Sequence, residues 1–294
     1  MINSQHLTFS LVEGSLVPLA STSLSLFDRG FTLADGLFET MVGHAGKVFS
    51  IENHIARLKK GAAVLHIPIP SEAELIGALK SGLNLSHGDY SVVRLTVSRG
   101  NDYGRGLDIP QIVQPSIVVR IAPWSLPDLV PSFGRTVVVS SIRRNQFSPL
   151  SKIKSLSYTE AVISRLEART VGADDALTQN TVGLITGATS SNVFAVIQNR
   201  LVTPPEDDGV LLGIGRKVIL EEAERLNIIV SEASLSIQNI EDASELFLTN
   251  VVTGVSPVTC VSGKIIGDGL PGSMTKVLAK AYHERVKREL RMNY

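Results

Sequence analysis

Short alternations of apolar and polar residues run through much of this chain, and where the apolar spacing lengthens to three and four a helix is expected. LTFSLVEGSLVPL opens the pattern with two apolar stretches around Glu13-Gly14, which reads as a pair of strands joined by a turn. From Ile51 through Ile55, Leu58, Ala62 and Leu65 the apolar positions predict a helix capped by Ser50, with His54, Arg57 and Lys60 turned toward another side. A second helix is expected over 72–83. In SVVRLTVSRG, Val93, Leu95 and Val97 alternate with Arg94, Thr96 and Ser98, so a half-buried strand is expected to end at Gly100.

A strand at PSIVVRIA leads into APWSLPDLVPSFG, whose three prolines break both periodicities and mark a candidate linker. Beyond it RTVVVSSI reads as a strand and SYTEAVISRLEART as a helix, with Ser157 and Glu160 at capping-box spacing. NVFAVI and RLVTP flank a Gln198-Asn199 turn. Gly213-Ile214-Gly215 leads into the helix RKVILEEAERLN, and strands at ELFLTNVV, PVTCVSG and KIIGD precede a terminal helix from Ser273. Strands and helices mingle in both halves, which predicts an α/β (α+β) protein of two domains. The expected division is a smaller N-terminal α/β domain over 1–121, a linker over 122–133 and a larger C-terminal domain over 134–294.

Composition narrows the function classes. The 294 residues are 44% hydrophobic and 19% charged, enough to bury a sizeable core. Twenty-eight basic residues balance 28 acidic ones, so the electrostatic drive toward nucleic acid or anionic membrane is missing and a small-molecule ligand fits better. A single cysteine, Cys260, excludes an intramolecular disulfide and a cysteine-based zinc cluster, and His44, His54, His66 and His87 show no metal-ligand spacing. No apolar run approaches a membrane span, and MINSQHLTFS lacks a leader pattern, so a cytoplasmic protein is expected.

Several residues could carry chemistry. Lys154, in SKIKSLSY, stands shortly before an expected helix start, where the positive dipole end favours the free amine; Lys152, two positions earlier, has an equal claim by position alone. The glycines of VLLGIGRKVIL let backbone amides approach an anion at a helix N-terminus, or simply start that helix. Thr189-Ser190-Ser191-Asn192 suits phosphate or a turn. Arg57 is either a solvated charge or a planar grip on phosphate. Arg99 and Arg105 stand in a glycine-rich loop able to hold a substrate carboxylate or to serve as a polar connection.

Taken in order, these segments resemble the class IV (fold-type IV) pyridoxal-phosphate (PLP) enzymes, which include branched-chain and D-amino-acid aminotransferases and 4-amino-4-deoxychorismate lyases. The resemblance is carried by Asp28-Arg29-Gly30-Phe31, Asp35-Gly36-Leu37-Phe38-Glu39-Thr40, His54-Ile55-Ala56-Arg57-Leu58, Ser98-Arg99-Gly100 and Gly104-Arg105-Gly106. It continues through Ile153-Lys154-Ser155-Leu156-Ser157-Tyr158, Gly172-Ala173-Asp174-Asp175-Ala176-Leu177, Ser191-Asn192-Val193-Phe194, Thr203-Pro204-Pro205, Leu212-Gly213-Ile214 and Ser256-Pro257-Val258.

The resemblance implies a two-domain enzyme with a barrel-like sheet in the larger domain, the site between the domains, and a homodimer. It implies that Lys154 carries PLP as a Schiff base and moves the proton at the substrate α-carbon. Arg57, the amides of Ile214 and Gly215 and the Ser191-Asn192 turn would hold the phosphate, Leu211 would pack on the ring and Tyr158 would lie near its phenolic oxygen. Arg99, Arg105 and Asn250 would meet the substrate, a small amino compound.

Three positions depart from the family pattern. Gly187 stands where a glutamate usually faces the pyridine nitrogen, Gly215 where threonine commonly follows Gly-Ile, and Val251 where a hydroxyl lies near the phosphate. Loss of the acid weakens the ring as an electron sink. Three readings are open: Thr186 or Thr189 bonds an unprotonated nitrogen, water fills the space, or the chain keeps the fold with little catalysis. Among activities, Thr249-Asn250 and the Arg-Gly loop resemble the lyase branch most. An aromatic product, 4-aminobenzoate, supplies driving force that offsets a weak sink; transamination of D- or branched-chain amino acids is the alternative.

Overall fold

The alternating segments of the N-terminal part pair into one antiparallel sheet. The computed structural model describes residues 6–18, 23–86, 90–104, 106–127 and 133–291. Strands β1 (Leu7–Val12), β2 (Ser15–Pro18), β3 (Gly36–His44), β4 (Lys47–Val48), β5 (Ser91–Ser98) and β6 (Ser116–Pro123) lie in the order β2-β1-β6-β5-β3-β4. Glu13 and Gly14 both take positive φ, 47° and 76°, which is the two-residue turn expected between β1 and β2. A short helix α1 (Arg29–Leu33) precedes β3, and α2 (Ile51–Leu65) packs on that strand. Helix α3 (Glu72–Asn84) begins with a capping box in which Ser71 and Glu74 exchange hydrogen bonds.

Val93, Leu95 and Val97 of β5 point into the core with Ile55, Leu58, Leu79 and Leu83, as their periods predict. Two expectations fail on α2. Ser50 is the cap position, but its backbone is left-handed and its side chain makes no capping bond; its N–H donates to Glu289 Oε2 instead. His54 faces the core rather than the polar side and is fully buried.

The second sheet carries β7 (Arg135–Arg144), β8 (Asp175–Asn180), β9 (Ile185–Ala188), β10 (Asn192–Ile197), β11 (Arg200–Thr203), β12 (Val230–Glu232), β13 (Glu245–Asn250), β14 (Gly254–Val261) and β15 (Lys264–Ile265). Its order is β12-β11-β10-β13-β14-β7-β8-β9, with β15 beside β14; β7 runs parallel to both neighbours, and the β10–β11 hairpin turns on Gln198 and Asn199 at positive φ. Helices α4 (Thr159–Thr170), α5 (Ile214–Arg225), α6 (Ile237–Glu241) and α7 (Ser273–Arg291) complete the α-helices among the described residues. The Ser157–Glu160 capping box does not form: α4 starts from Tyr158, without a side-chain cap.

The chain divides into two compact units. One comprises Met1–Leu126, Ile153–Ser157 and Lys287–Tyr294; the other comprises Pro127–Lys152 and Tyr158–Val286. The first therefore includes the segment that carries Lys154. Of the expected linker, residues 128–132 lie outside the described residues. No helix among the described residues is long and apolar enough to cross a membrane.

Candidate active site

In the first unit, residues 154–156 run along the start of β3 as an added strand. Phe38 N–H donates to Lys154 O at 3.0 Å, Leu156 N–H donates to Gly36 O at 2.9 Å, and Leu37 bridges Ser155. Ile153 anchors this piece in the core. Lys154 Nζ stands 4.4 Å from the centre of the Phe38 ring, a cation–π position. Lys152 goes elsewhere: its Nζ pairs at 3.2 Å with the exposed Asp207. Sequence position could not separate the two lysines, and backbone pairing with β3 does.

Behind Lys154, β3 supplies a carboxylate to the core. Glu39 Oε1 and Oε2 accept from Arg57 Nε and Nη2 at 2.8 and 2.6 Å, and Oε2 also meets His54 Nδ1 at 2.7 Å. Burial alone would push Glu39 up; Arg57 foremost, with His54, overcomes this and lowers it to about 2. His54 is held below its ordinary value chiefly by burial, with the Arg57 and Lys154 charges adding to the effect and Glu39 opposing it. A neutral His54 thus donates Nδ1–H to Glu39, while its buried Nε2 finds no hydrogen-bond partner among the described residues. Glu39 orients the Arg57 fork as a fixed bidentate partner does. The pair His54/Arg57, three apart on one helix face, and a lone acid in the apolar run Leu37–Val42 were the sequence signals for this cluster.

The glycine-rich loop after β5 is laced inward. Arg99 is buried and donates to both oxygens of Asp35 and to the carbonyls of Leu65 and His66. Its guanidinium is committed to structure, which removes it from the expected substrate residues. Arg29 shares Asp35 and also holds Asp102 at 2.7 Å. Arg105 lies outside the described residues.

In the second unit the loop 211–215 is seated by Asn192. Its Nδ2 donates to Leu211 O at 2.9 Å and its Oδ1 accepts from Gly213 N–H at 3.1 Å. The approach needs glycine, since a Cβ at Gly213 would stand 2.1 Å from Asn192 Oδ1; likewise a Cβ at Gly215 would stand 2.9 Å from Thr249 Oγ1. Helix α5 follows from its cap at Gly213, and the first-turn amides of Ile214 and Gly215 have no intrahelical acceptor. Asn192 therefore positions the loop instead of gripping an anion itself. Asn192→Ala is expected to cost about 1–3 kcal/mol in stability and to speed hydrogen exchange across 211–215, measured by thermal melts and exchange mass spectrometry.

Asn250 differs from expectation in the same way. Its Oδ1 accepts from Val252 and Thr253 N–H and its Nδ2 donates to Ser191 Oγ at 3.0 Å, so it builds a turn and holds Ser191. Gly187, on β9, has φ 143°, and a Cβ there would stand 2.6 Å from Ser191 O, so an acid cannot simply be restored. The hydroxyls that could replace it are engaged: Thr186 Oγ1 meets Thr178 Oγ1 at 2.8 Å, and Thr189 Oγ1 donates to Asp175 while accepting from Arg165.

In the first unit a lysine amine in a core-anchored segment and an acid-oriented arginine, and in the second unit a helix start with uncommitted amides, are each of a kind that suits a phosphorylated aldehyde such as PLP. They offer its ring nitrogen no carboxylate at 187. Comparison with known proteins agrees. Residues 36–261 match the family model for amino-transferase class IV. A Methanocaldococcus jannaschii protein provisionally described as a branched-chain-amino-acid aminotransferase is 30% identical over 275 residues, covering 93% of this chain and 94% of that one. The D-alanine aminotransferase of Bacillus licheniformis is 31% identical over 286 residues, with 95% and 97% covered. A Legionella pneumophila crystal structure, provisionally described as a 4-amino-4-deoxychorismate lyase, superposes with TM-score 0.83 at 28% identity, covering 93% of this chain and 98% of that one. The chain belongs to the class IV aminotransferase family, and with it to the PLP-dependent enzymes that act on small amino compounds.

Proposed function

We propose that the protein is a PLP-dependent 4-amino-4-deoxychorismate lyase, releasing 4-aminobenzoate and pyruvate. The observation that carries this reading is Gly187, where neither a carboxylate nor an uncommitted threonine hydroxyl stands on the strand. Bound PLP supplies a conjugated ring that takes up the electron pair left at the substrate α-carbon, and it does so weakly without an acid at its nitrogen. Formation of an aromatic product offsets that weakness. Transamination, which must also stabilise the amine form of the cofactor, gains no such help.

In this reading Lys154 Nζ holds the cofactor and moves the proton at the substrate α-carbon, a role that suits an amine free to change protonation state. Arg57 and the amides of Ile214 and Gly215 hold the phosphate, Ser191 assists, Leu211 packs on the ring and Tyr158 lies near its phenolic oxygen. Glu39 and Asn192 fix the aim of these groups. Exposed Phe27, Phe31, Leu107 and Ile109 of the first unit support association into a homodimer.

The second reading, a D- or branched-chain aminotransferase, is favoured by the end-to-end similarity to the D-alanine enzyme. The test separates them. Purified protein given aminodeoxychorismate is expected to form 4-aminobenzoate with no added 2-oxo acid, followed by fluorescence. Absence of that product together with steady amino transfer to 2-oxoglutarate overturns the lyase reading in favour of the second.

A further inference from the structure

The start of α5 presents backbone donors and no side-chain hydroxyl. Its cap and its second helical residue are Gly213 and Gly215, the first bond into the helix runs from Lys217 N–H to Gly213 O, and the amides ahead of it have no intrahelical acceptor. Such a terminus attracts an anion, yet a helix start alone does not make a binding site. Position 251, after Asn250, is valine and adds no hydroxyl either. A buried side chain on a neighbouring strand supplies the second feature.

Thr249 lies on β13 directly opposite Asn192 of β10, and residues paired across antiparallel strands direct their side chains to the same face. Asn192 uses that face to hold the loop before α5, through Leu211 O and Gly213 N–H. Thr249 reaches the next glycine along. Its Oγ1 stands 2.9 Å from the place a Cβ on Gly215 would take, so the threonine hydroxyl fills the space in which a side chain at 215 would begin. Thr249 is 1% exposed, and this hydroxyl has no hydrogen-bond partner among the described residues. A buried hydroxyl left unmade costs free energy that valine, of nearly the same shape, would not. Threonine here is explained by a partner from outside the chain, and its place beside the amides of Ile214 and Gly215 makes that partner an anion with several acceptor oxygens.

We propose that Thr249 Oγ1 donates a hydrogen bond to a phosphate group held at the start of α5, supplying from β13 the hydroxyl that Gly215 and Val251 do not. That the phosphate is the one carried by PLP rests on the reading of the protein as a PLP enzyme. Every group in the arrangement belongs to the second unit. Glycine at 215 is part of it, since a side chain there would push the hydroxyl aside. A hydroxyl bond to a doubly charged phosphate is of the strong, charge-assisted kind.

The test uses purified protein stripped of PLP, as wild type, Thr249→Val and Thr249→Ser. Thr249→Val is expected to bind PLP roughly 10- to 100-fold more weakly in absorbance titrations, while affinity for pyridoxal, which has no phosphate, stays at the wild-type value. Thr249→Ser keeps the hydroxyl and should bind PLP nearly as wild type does. Inorganic phosphate should raise the melting temperature of wild type and Thr249→Ser, and that of Thr249→Val much less. Without ligand, Thr249→Val should melt at or above the wild-type temperature, because it removes an unpartnered buried hydroxyl. Unchanged PLP affinity in Thr249→Val overturns the assignment. An equal loss for PLP and pyridoxal overturns it too, as does ligand-free melting several degrees lower, the mark of a purely structural threonine. Wild-type protein that takes up no PLP, yet is protected by phosphate only when the hydroxyl is present, overturns the parent reading and upholds the phosphate site. Absence of both PLP uptake and phosphate protection overturns both.

Discussion

Lys154→Ala is expected to lose activity by a factor on the order of 10³ or more, because in the proposed reading one amine both carries the cofactor and moves the α-proton. The fold should survive. The contacts that seat this segment are backbone bonds from Phe38 and Leu156 and the burial of Ile153, none of which uses the lysine side chain. A melting temperature within a few degrees of wild type, with the PLP absorbance band lost and no borohydride-stable adduct by mass spectrometry, is the predicted set of results. An adduct persisting in the variant would move the role to Lys152, whose pairing with Asp207 at the surface now argues against it.

Glu39→Gln should show the largest effect on stability, about 3–5 kcal/mol, since it leaves the Arg57 guanidinium without its buried counter-charge. The same substitution should loosen PLP, as Arg57 loses the partner that aims it. Acid behaviour gives an independent check. The folded-state value of Glu39, about 2, lies below its ordinary 4.5, so its contribution is fully present above pH 4.5 and is lost as pH falls toward 2. That limb amounts to roughly 3 kcal/mol. Chemical denaturation at pH 6, 4, 3 and 2 should show it in wild type and a flatter limb in Glu39→Gln. Equal slopes in the two proteins would mean that another carboxylate, Asp35 among them, dominates the acid transition.

Much of the secondary structure was legible because it follows from local spacing. The period of three and four over Ile51–Leu65, the alternation in β5 and the two turns with positive φ depend on residues that are near one another in the chain. Helix caps were less legible. Ser50 and Ser157 have the right chemistry for capping, but Ser50 takes a left-handed backbone with its N–H given to Glu289, 239 positions later, and α4 starts one residue beyond Ser157. The site residues divide in the same way. Lys154 and Arg57 are proposed for the site from motif order, whereas the hydrogen bonds of Asn192, Asn250 and Arg99 depend on which long-range partner takes their polar groups.

By itself, then, the sequence determined the kind of elements, the mixed α/β class, the PLP chemistry and the absence of an acid at 187. The tertiary structure decided the rest: that the Lys154 segment pairs with β3 while Lys152 meets Asp207, that Glu39 aims Arg57, and that Arg99 and Asn250 bond to framework groups. The physical reason is that local propensity acts over one or two turns of chain, whereas hydrogen-bond and charge partners are assigned only when distant segments are brought together.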